Sequence, residues 1–246
     1  MEPARIVVVT GASSGIGQAT ARLFADDRGY GVVACARTKD RLAELEAEHG
    51  RLLAVPADLT EDSAVPDLLA IARRRWNRSP DSFVLCAGRG LPGTVLTSDP
   101  ARWQEIVELN FLAALRQLRQ VAELFVGEAS DRVRDIVVIG STVGRQVSAA
   151  NPIYGSTKFA LHSLVEALRQ EVCEHNIRVT LVEPGFVQSG FQRAAGYDTE
   201  WFAQVERDNG PLLTPDDVAR VVDFVLRQPG HVHIDDVRIR PTRQRS

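Results

Sequence analysis

Long apolar runs are missing from this chain. No uninterrupted apolar stretch in its 246 residues approaches membrane-spanning length, which excludes a helical bilayer protein. An excess of one charge is missing too. A formal net charge of -3 and a pI near 6.0 give no general attraction to phosphate backbones or anionic lipids, so neither nucleic acid nor a membrane is an expected partner. Cysteine is scarce: Cys35, Cys86 and Cys173 are odd in number, widely spaced and set among small or apolar neighbours. That pattern predicts reduced thiols, not a disulfide framework. The start, Met1-Glu-Pro-Ala-Arg5, lacks the basic segment and longer apolar core of a secretory signal, and a cytoplasmic location is the expectation. His231 and His233 alternate as strand neighbours would, yet no further His, Cys or acid completes a ligand set, and no metal is expected.

What is present suits a globular enzyme. Hydrophobic residues make up 44% and charged residues 25% of the chain, enough apolar material for a substantial core. Six short β-rich runs recur: Ile6 to Val9, Val32 to Ala36, Leu52 to Val55, Phe83 to Cys86, Ile136 to Ile139 and Val179 to Val182. Because they are continuously apolar instead of alternating, they predict parallel strands covered on both faces. Helical stripes lie between them, beginning with Ile16, Ala19, Leu23 and Phe24. Thr214-Pro-Asp-Asp reads as a capped helix start, and a helix through Val225 followed by a strand from Val237 to Ile239 completes the pattern. The expectation is a doubly wound α/β fold of the Rossmann type, with a central parallel sheet of about seven strands and helices on both faces. With no repeat, low-complexity tract or linker, residues 1–246 read as one domain. The aromatic-rich stretch 189–211, holding Phe191, Tyr197, Trp201 and Phe202, is expected to form a substrate lid.

Three patterns carry chemistry. Thr10-Gly11-Ala12-Ser13-Ser14-Gly15-Ile16-Gly17 falls between the first strand and the first helix, where glycines let the backbone turn tightly and the helix amides face a pyrophosphate. No acid stands at the end of the second strand to receive a ribose 2′-hydroxyl. Arg37 stands there instead, suited to a 2′-phosphate and thus to NADP(H), the alternative being a solvated surface arginine.

Tyr154 and Lys158, four residues apart, begin the core-facing stripe that continues through Leu161, Val165, Leu168 and Val172. A lysine on a buried stripe beside a phenol has few structural reasons to exist. It has a chemical one, because an ammonium favours the phenolate and makes the phenol a better proton-transfer group. Ser141 follows the fifth run, at the strand end where open α/β sheets bind ligands, and can hold a substrate oxygen. Asn110 shares a helical stripe with Trp103, Ile106, Ala114 and Val121. Its amide either pins backbone groups or organises a water near Lys158.

On these residues the chain resembles the short-chain dehydrogenase/reductase family over nearly its whole length. The resemblance identifies Ser141, Tyr154 and Lys158 with the family's catalytic residues and Asn110 with the fourth. It implies a cofactor surface made of Gly11, Ser13, Ser14, Gly15, Ile16 and Gly17 in the turn, with Arg37, Asp58 and Leu59 on the adenosine side. Cys86, Ala87 and Gly88 follow after the fourth strand. Tyr154, Lys158, Pro184, Gly185, Val187 and Ser189 complete the surface on the nicotinamide side. It also implies a small-molecule carbonyl or alcohol substrate and a homodimer or homotetramer. One departure stands out: Leu85-Cys86-Ala87-Gly88 replaces the family's usual Asn-Asn-Ala-Gly, removing two side-chain amides. The closing Ile239-Arg-Pro-Thr-Arg-Gln244 is similar to tails of members acting on small hydroxy acids and assorted alcohols. The competing expectation is a catalytically silent NADP(H)-binding sensor or scaffold. Arg145 and Arg193 read as solvated residues, with contact to an acidic substrate as the alternative.

Overall fold

The computed structural model of the protein describes residues 3–26, 28–128 and 132–245. The reading of the chain start therefore falls partly on Met1 and Glu2, outside the described residues. Seven strands form a single parallel sheet: β1 (Ile6–Thr10), β2 (Gly31–Ala36), β3 (Leu52–Pro56), β4 (Ser82–Leu85), β5 (Arg134–Ile139), β6 (Ile177–Pro184) and β7 (Asp236–Ile239). Their order is β3-β2-β1-β4-β5-β6-β7, so the chain winds outward from β1 to one edge, returns to β4, and winds to the other. This is the expected doubly wound fold. The reversal between β1 and β4 leaves a crevice outside the carboxyl ends of the strands, where such sheets bind ligands.

The continuous apolar runs are explained by two cores, one on each face. Alternate side chains of a strand point to opposite faces. Ile6 and Val8, Val33 and Cys35, Phe83 and Leu85, and Ile136 and Val138 enter one core with α3 (Ala64–Trp76), α5 (Ala113–Gly127) and α6 (Pro152–Val172). Val7 and Val9, Val32 and Ala34, Val84, Val137 and Val182 enter the other, with α1 (Gly15–Asp26), α2 (Lys39–Glu48) and α9 (Pro215–Leu226). The predicted stripe on α6 is buried at Leu161, Val165, Leu168 and Val172. The predicted start of α9 is a full capping box: Asp217 N donates to Thr214 Oγ1 at 3.2 Å and Thr214 N donates to Asp217 Oδ2 at 2.7 Å.

Two readings are corrected in detail. The stripe through Asn110 is not one regular helix, because α4 (Trp103–Val107) passes through a π-helical turn, Glu108–Leu112, before continuing as α5. His231 and His233 are not strand neighbours, since they precede β7, and His233 Nε2 lies 3.1 Å from the Val179 amide. Residues 189–211 form α7 (Phe191–Ala195) and α8 (Thr199–Asn209).

Candidate active site

A cleft of about 820 Å³ runs along the carboxyl ends of the strands. Every residue named above as a cofactor contact lines it, and so do Ser141, Tyr154 and Lys158. Asn110 does not. Strand order separates the two ends of the cleft: Arg37 and Asp58 follow β2 and β3, whereas Ser141 and Pro184 stand at the ends of β5 and β6.

The glycine turn connects those ends. Gly11 adopts φ +66°, which L side chains rarely reach, and a Cβ there would meet the Ala87 amide at 3.0 Å. At Gly17 a Cβ would lie 2.4 Å from the Gly11 carbonyl oxygen, so only glycine lets the first turn of α1 pack onto the loop. That first turn carries no acid, leaving the helix amides free of a competing carboxylate. The turn therefore fits a pyrophosphate. Thr10 ties it to the next strand. Its Oγ1 accepts from Cys86 N at 3.1 Å, so a side-chain hydroxyl joins the ends of β1 and β4 although the two family amides are absent. Leu85 occupies the apolar core instead, 1% exposed.

At the adenosine end the charged groups are exposed. Asp58 accepts from Thr60 N at 3.0 Å and Thr60 Oγ1 at 2.8 Å. Those bonds, with a smaller contribution from Arg37, hold its carboxyl below the usual carboxylate range. Arg41, in the first turn of α2, also lines this end and was not singled out in the sequence. Its position four residues after Arg37 is the signal that could have found it.

At the other end charge is buried. Tyr154 and Lys158 sit in the first two turns of α6 and are 8% and 6% exposed. The Ser141 hydroxyl lies close enough to the Tyr154 phenol to favour its charged form. Lys158 Nζ lies 5.9 Å from the Tyr154 ring centroid and donates to the Ile139 carbonyl at 3.0 Å. Burial pushes the Tyr154 phenol well above its ordinary value, against a smaller opposing effect of Ser141. Burial also pushes Lys158 down to about 8, partly offset by Cys86. This reverses the expected direction for the phenol: burial is the largest influence on Tyr154 and favours its neutral form. Such a phenol keeps its proton until an acceptor beside it gains negative charge.

The Asn110 amide makes the backbone contacts that one of its two readings expects. Its Oδ1 accepts from Arg89 N and its Nδ2 donates to the Arg89 carbonyl, both at 2.8 Å, so the amide pins the backbone just beyond Gly88. A Cβ on Gly88 would lie 3.4 Å from Asn110 Oδ1 and 3.8 Å from Lys158 Nζ, which puts the amide beside the lysine. The π turn sets this aim by rotating one residue out of the regular helical register. Cys86 lines the cleft half-buried, and burial pushes its thiol up to about 12, away from the reactive thiolate.

This arrangement decides the family when set beside known proteins. A family model described as short chain dehydrogenase matches residues 5–200. The chain belongs to the short-chain dehydrogenase family. A curated short-chain relative, dehydrogenase/reductase SDR family member 11 of Bos taurus, is 33% identical, with 98% of this chain and 97% of the relative covered. A solved closed form of a serine dehydrogenase complexed with NADP+ superposes with a TM-score of 0.89 at 29% identity, covering 98% and 96% of the two chains. An alcohol dehydrogenase from the archaeon Thermococcus sibiricus, complexed with 5-hydroxy-NADP, gives 0.81 at 26% identity, covering 98% of each chain. The protein is accordingly an NAD(P)-dependent oxidoreductase of this family.

The remaining wall of this short-chain dehydrogenase comes from α7, α8 and the chain end. Phe191 packs on Tyr154 with ring centroids 5.9 Å apart, and Tyr197 stacks on Trp201 at 5.5 Å. Phe191, Tyr197 and Trp201 line the cleft, and Phe191 on Tyr154 and Trp201 against Phe186 hold 189–211 to the body. Gln244 is a further residue missed in the sequence. Its Oε1 accepts from Phe186 N at 2.9 Å across Gly185, where a Cβ would come within 2.1 Å of that oxygen. Arg145 is exposed, as the solvated reading expected, but its Nε also binds the buried Glu183 at 2.8 and 2.7 Å, and it does not line the cleft. Among the described residues no group of three potential metal ligands occurs, and no helix is long and apolar enough to cross a membrane.

Proposed function

We propose that this short-chain dehydrogenase uses NADP(H) to interconvert a carbonyl and an alcohol on a small or hydrophobic substrate. The observation that carries the reading is the constellation at one end of the cleft: a buried phenol, a half-buried serine hydroxyl beside it, and a buried ammonium one helical turn away. When bound, the dinucleotide supplies or accepts the hydride. In reduction the substrate oxygen sits against Ser141 Oγ and Tyr154 OH, and Tyr154 donates its proton to that oxygen as negative charge develops there. Lys158 stabilises the phenolate left behind, and its own depressed affinity for protons lets it pass one back. Asn110 holds the 88–89 backbone that borders Lys158. Phe191, Tyr197 and Trp201 exclude water, with 189–211 acting as the lid.

The choice of NADP(H) rests on the open end. Arg37 follows β2 where an acid would repel a 2′-phosphate, Arg41 adds a second cation, and the similar serine and alcohol dehydrogenases hold NADP-type cofactors in their solved structures. The cytoplasmic location and a homo-oligomeric state belong to the same reading.

The test is Tyr154→Phe, assayed with NADPH against a panel of aldehydes, diketones and keto esters, and with NADP+ against serine and small 2-hydroxy acids. Turnover falls by about 10³-fold while NADPH binding by fluorescence is unchanged. Near-normal turnover removes Tyr154 from the chemistry. NADPH binding by the unsubstituted protein without turnover on any panel member favours the silent sensor.

A further inference from the structure

The loop that carries Ser141 closes around a buried imidazole. A Cβ added to Gly140 would lie 2.4 Å from His162 Nε2, and one added to Gly144 would lie 2.3 Å from His162 Cε1. The ring fills space that any side chain at these two positions would need. Between them the Ser141 amide donates to His162 Nε2 at 3.3 Å. An imidazole that accepts at Nε2 carries its proton on Nδ1. His162 Nδ1 in turn faces Glu183 Oε2 at 3.8 Å, and Glu183 is fully buried. Glu183 is held by Arg145, which closes the short 3-10 turn Thr142–Gly144 that Ser141 opens. The loop is thus gripped at its start by His162 and at its end by Arg145. His162 itself is 9% exposed and does not line the cleft.

We propose that His162 is a positioning residue for Ser141: its Nε2 fixes the Ser141 amide, and through it the aim of the hydroxyl at Tyr154 and the substrate oxygen. The inference rests on the role given to Ser141 above. It makes a specific demand on the ring, which must stay neutral, because a protonated Nε2 cannot accept. The surroundings meet that demand. Burial first, then the charges of Lys158 and Arg145, hold the imidazole down to about 3, so the ring stays neutral even though Glu183 lies opposite.

The test compares Ser141→Ala, His162→Leu and His162→Gln in NADPH-dependent reduction of the fastest carbonyl of the panel. His162→Leu leaves the Ser141 amide without this acceptor and lowers kcat by about tenfold, with NADPH affinity within about twofold of the parent. His162→Gln returns an acceptor close to the Nε2 position and recovers kcat to within about threefold of the parent. If His162 merely fills space, both variants melt earlier yet keep the parent kcat per folded molecule, and the proposal falls. If Ser141→Ala also keeps the parent kcat, the assigned role of Ser141 falls first. A second measurement is independent of turnover: ¹⁵N NMR of histidine-labelled protein, with the 162 signal assigned by its loss in His162→Gln. A neutral Nδ1–H tautomer that does not titrate between about pH 5.5 and 8 is expected. An Nε2–H tautomer, or titration in that range, overturns the proposal.

Discussion

The two ends of one cleft handle charge in opposite ways. At the adenosine end Arg37, Arg41 and Asp58 are exposed, and the acid is governed mainly by its hydrogen bonds to Thr60, with the nearby guanidinium contributing least. Water screens charges there, which suits recognition of a charged ligand that brings its own counter-charge. At the catalytic end Tyr154, Lys158 and His162 are each under a tenth exposed, and burial is the first cause pushing every one of them toward its neutral form. Charge on the floor is costly until substrate and cofactor arrive. The open end is therefore expected to govern which dinucleotide binds, and the closed end how protons move.

The sharpest way to break this contrast is Lys158→Met. If the buried ammonium serves chemistry at the expense of the fold, its loss lowers kcat by about 10³-fold while raising stability. The depression of Lys158 from 10.5 to about 8 means that the unfolded chain binds this proton more tightly than the folded one between those values. Below pH 8 the full penalty is present, and it is relieved as pH rises. Allowing for the lost bond to Ile139, Lys158→Met gains about 1–2 kcal/mol at pH 7 by urea denaturation. A loss of stability instead would mean that the ammonium is not under strain in the folded protein.

Arg37→Ala probes the other end. On the proposed reading Arg37 meets a 2′-phosphate, so its loss should cost one ligand and little of the fold. NADPH binding weakens roughly 30- to 100-fold, NADH binding changes by less than about twofold, and the melting temperature stays put. Equal losses for both dinucleotides would deny Arg37 any reading of the phosphate. A drop in kcat at saturating NADPH would break the division between the two ends.

Much of this was legible in the sequence alone. The strands could be read because a parallel sheet buries both faces, which turns each strand into a continuous apolar run with few rivals in the chain. The cleft residues followed because glycine turns and strand ends occupy fixed places in a doubly wound sheet. What stayed hidden depends on pairings across long stretches of chain. Thr10 meets Cys86, 76 residues away, and Gln244 meets Phe186, 58 residues away. Arg145 looked free because Glu183 lies 38 residues on, inside an apolar strand where a carboxylate signals nothing by itself. The π turn was invisible for another reason: Trp103, Ile106, Asn110 and Ala114 fit a regular helical stripe, and one extra residue in a turn leaves no mark in spacing that loose. The direction of the Tyr154 shift was misread because spacing locates the lysine but not the depth of burial, and depth decides the sign.

The smallest expected effect concerns acid. His162 is held from 6.5 down to about 3, so between those values the unfolded chain binds a proton that the folded chain refuses, and stability falls as pH falls through that window. At pH 5 the single ring accounts for a loss of about 2 kcal/mol relative to pH 7. His162→Gln has no such proton to take up, although Lys158, Arg145 and Glu183 around the site remain. Its urea stability, lower than the parent's at pH 7, should therefore decline less steeply toward pH 5, and the two curves should converge. Parallel curves would mean that the imidazole is protonated inside the fold at little cost. Glu183 would then be its ion-pair partner, and the closed end of the cleft would tolerate charge as readily as the open one.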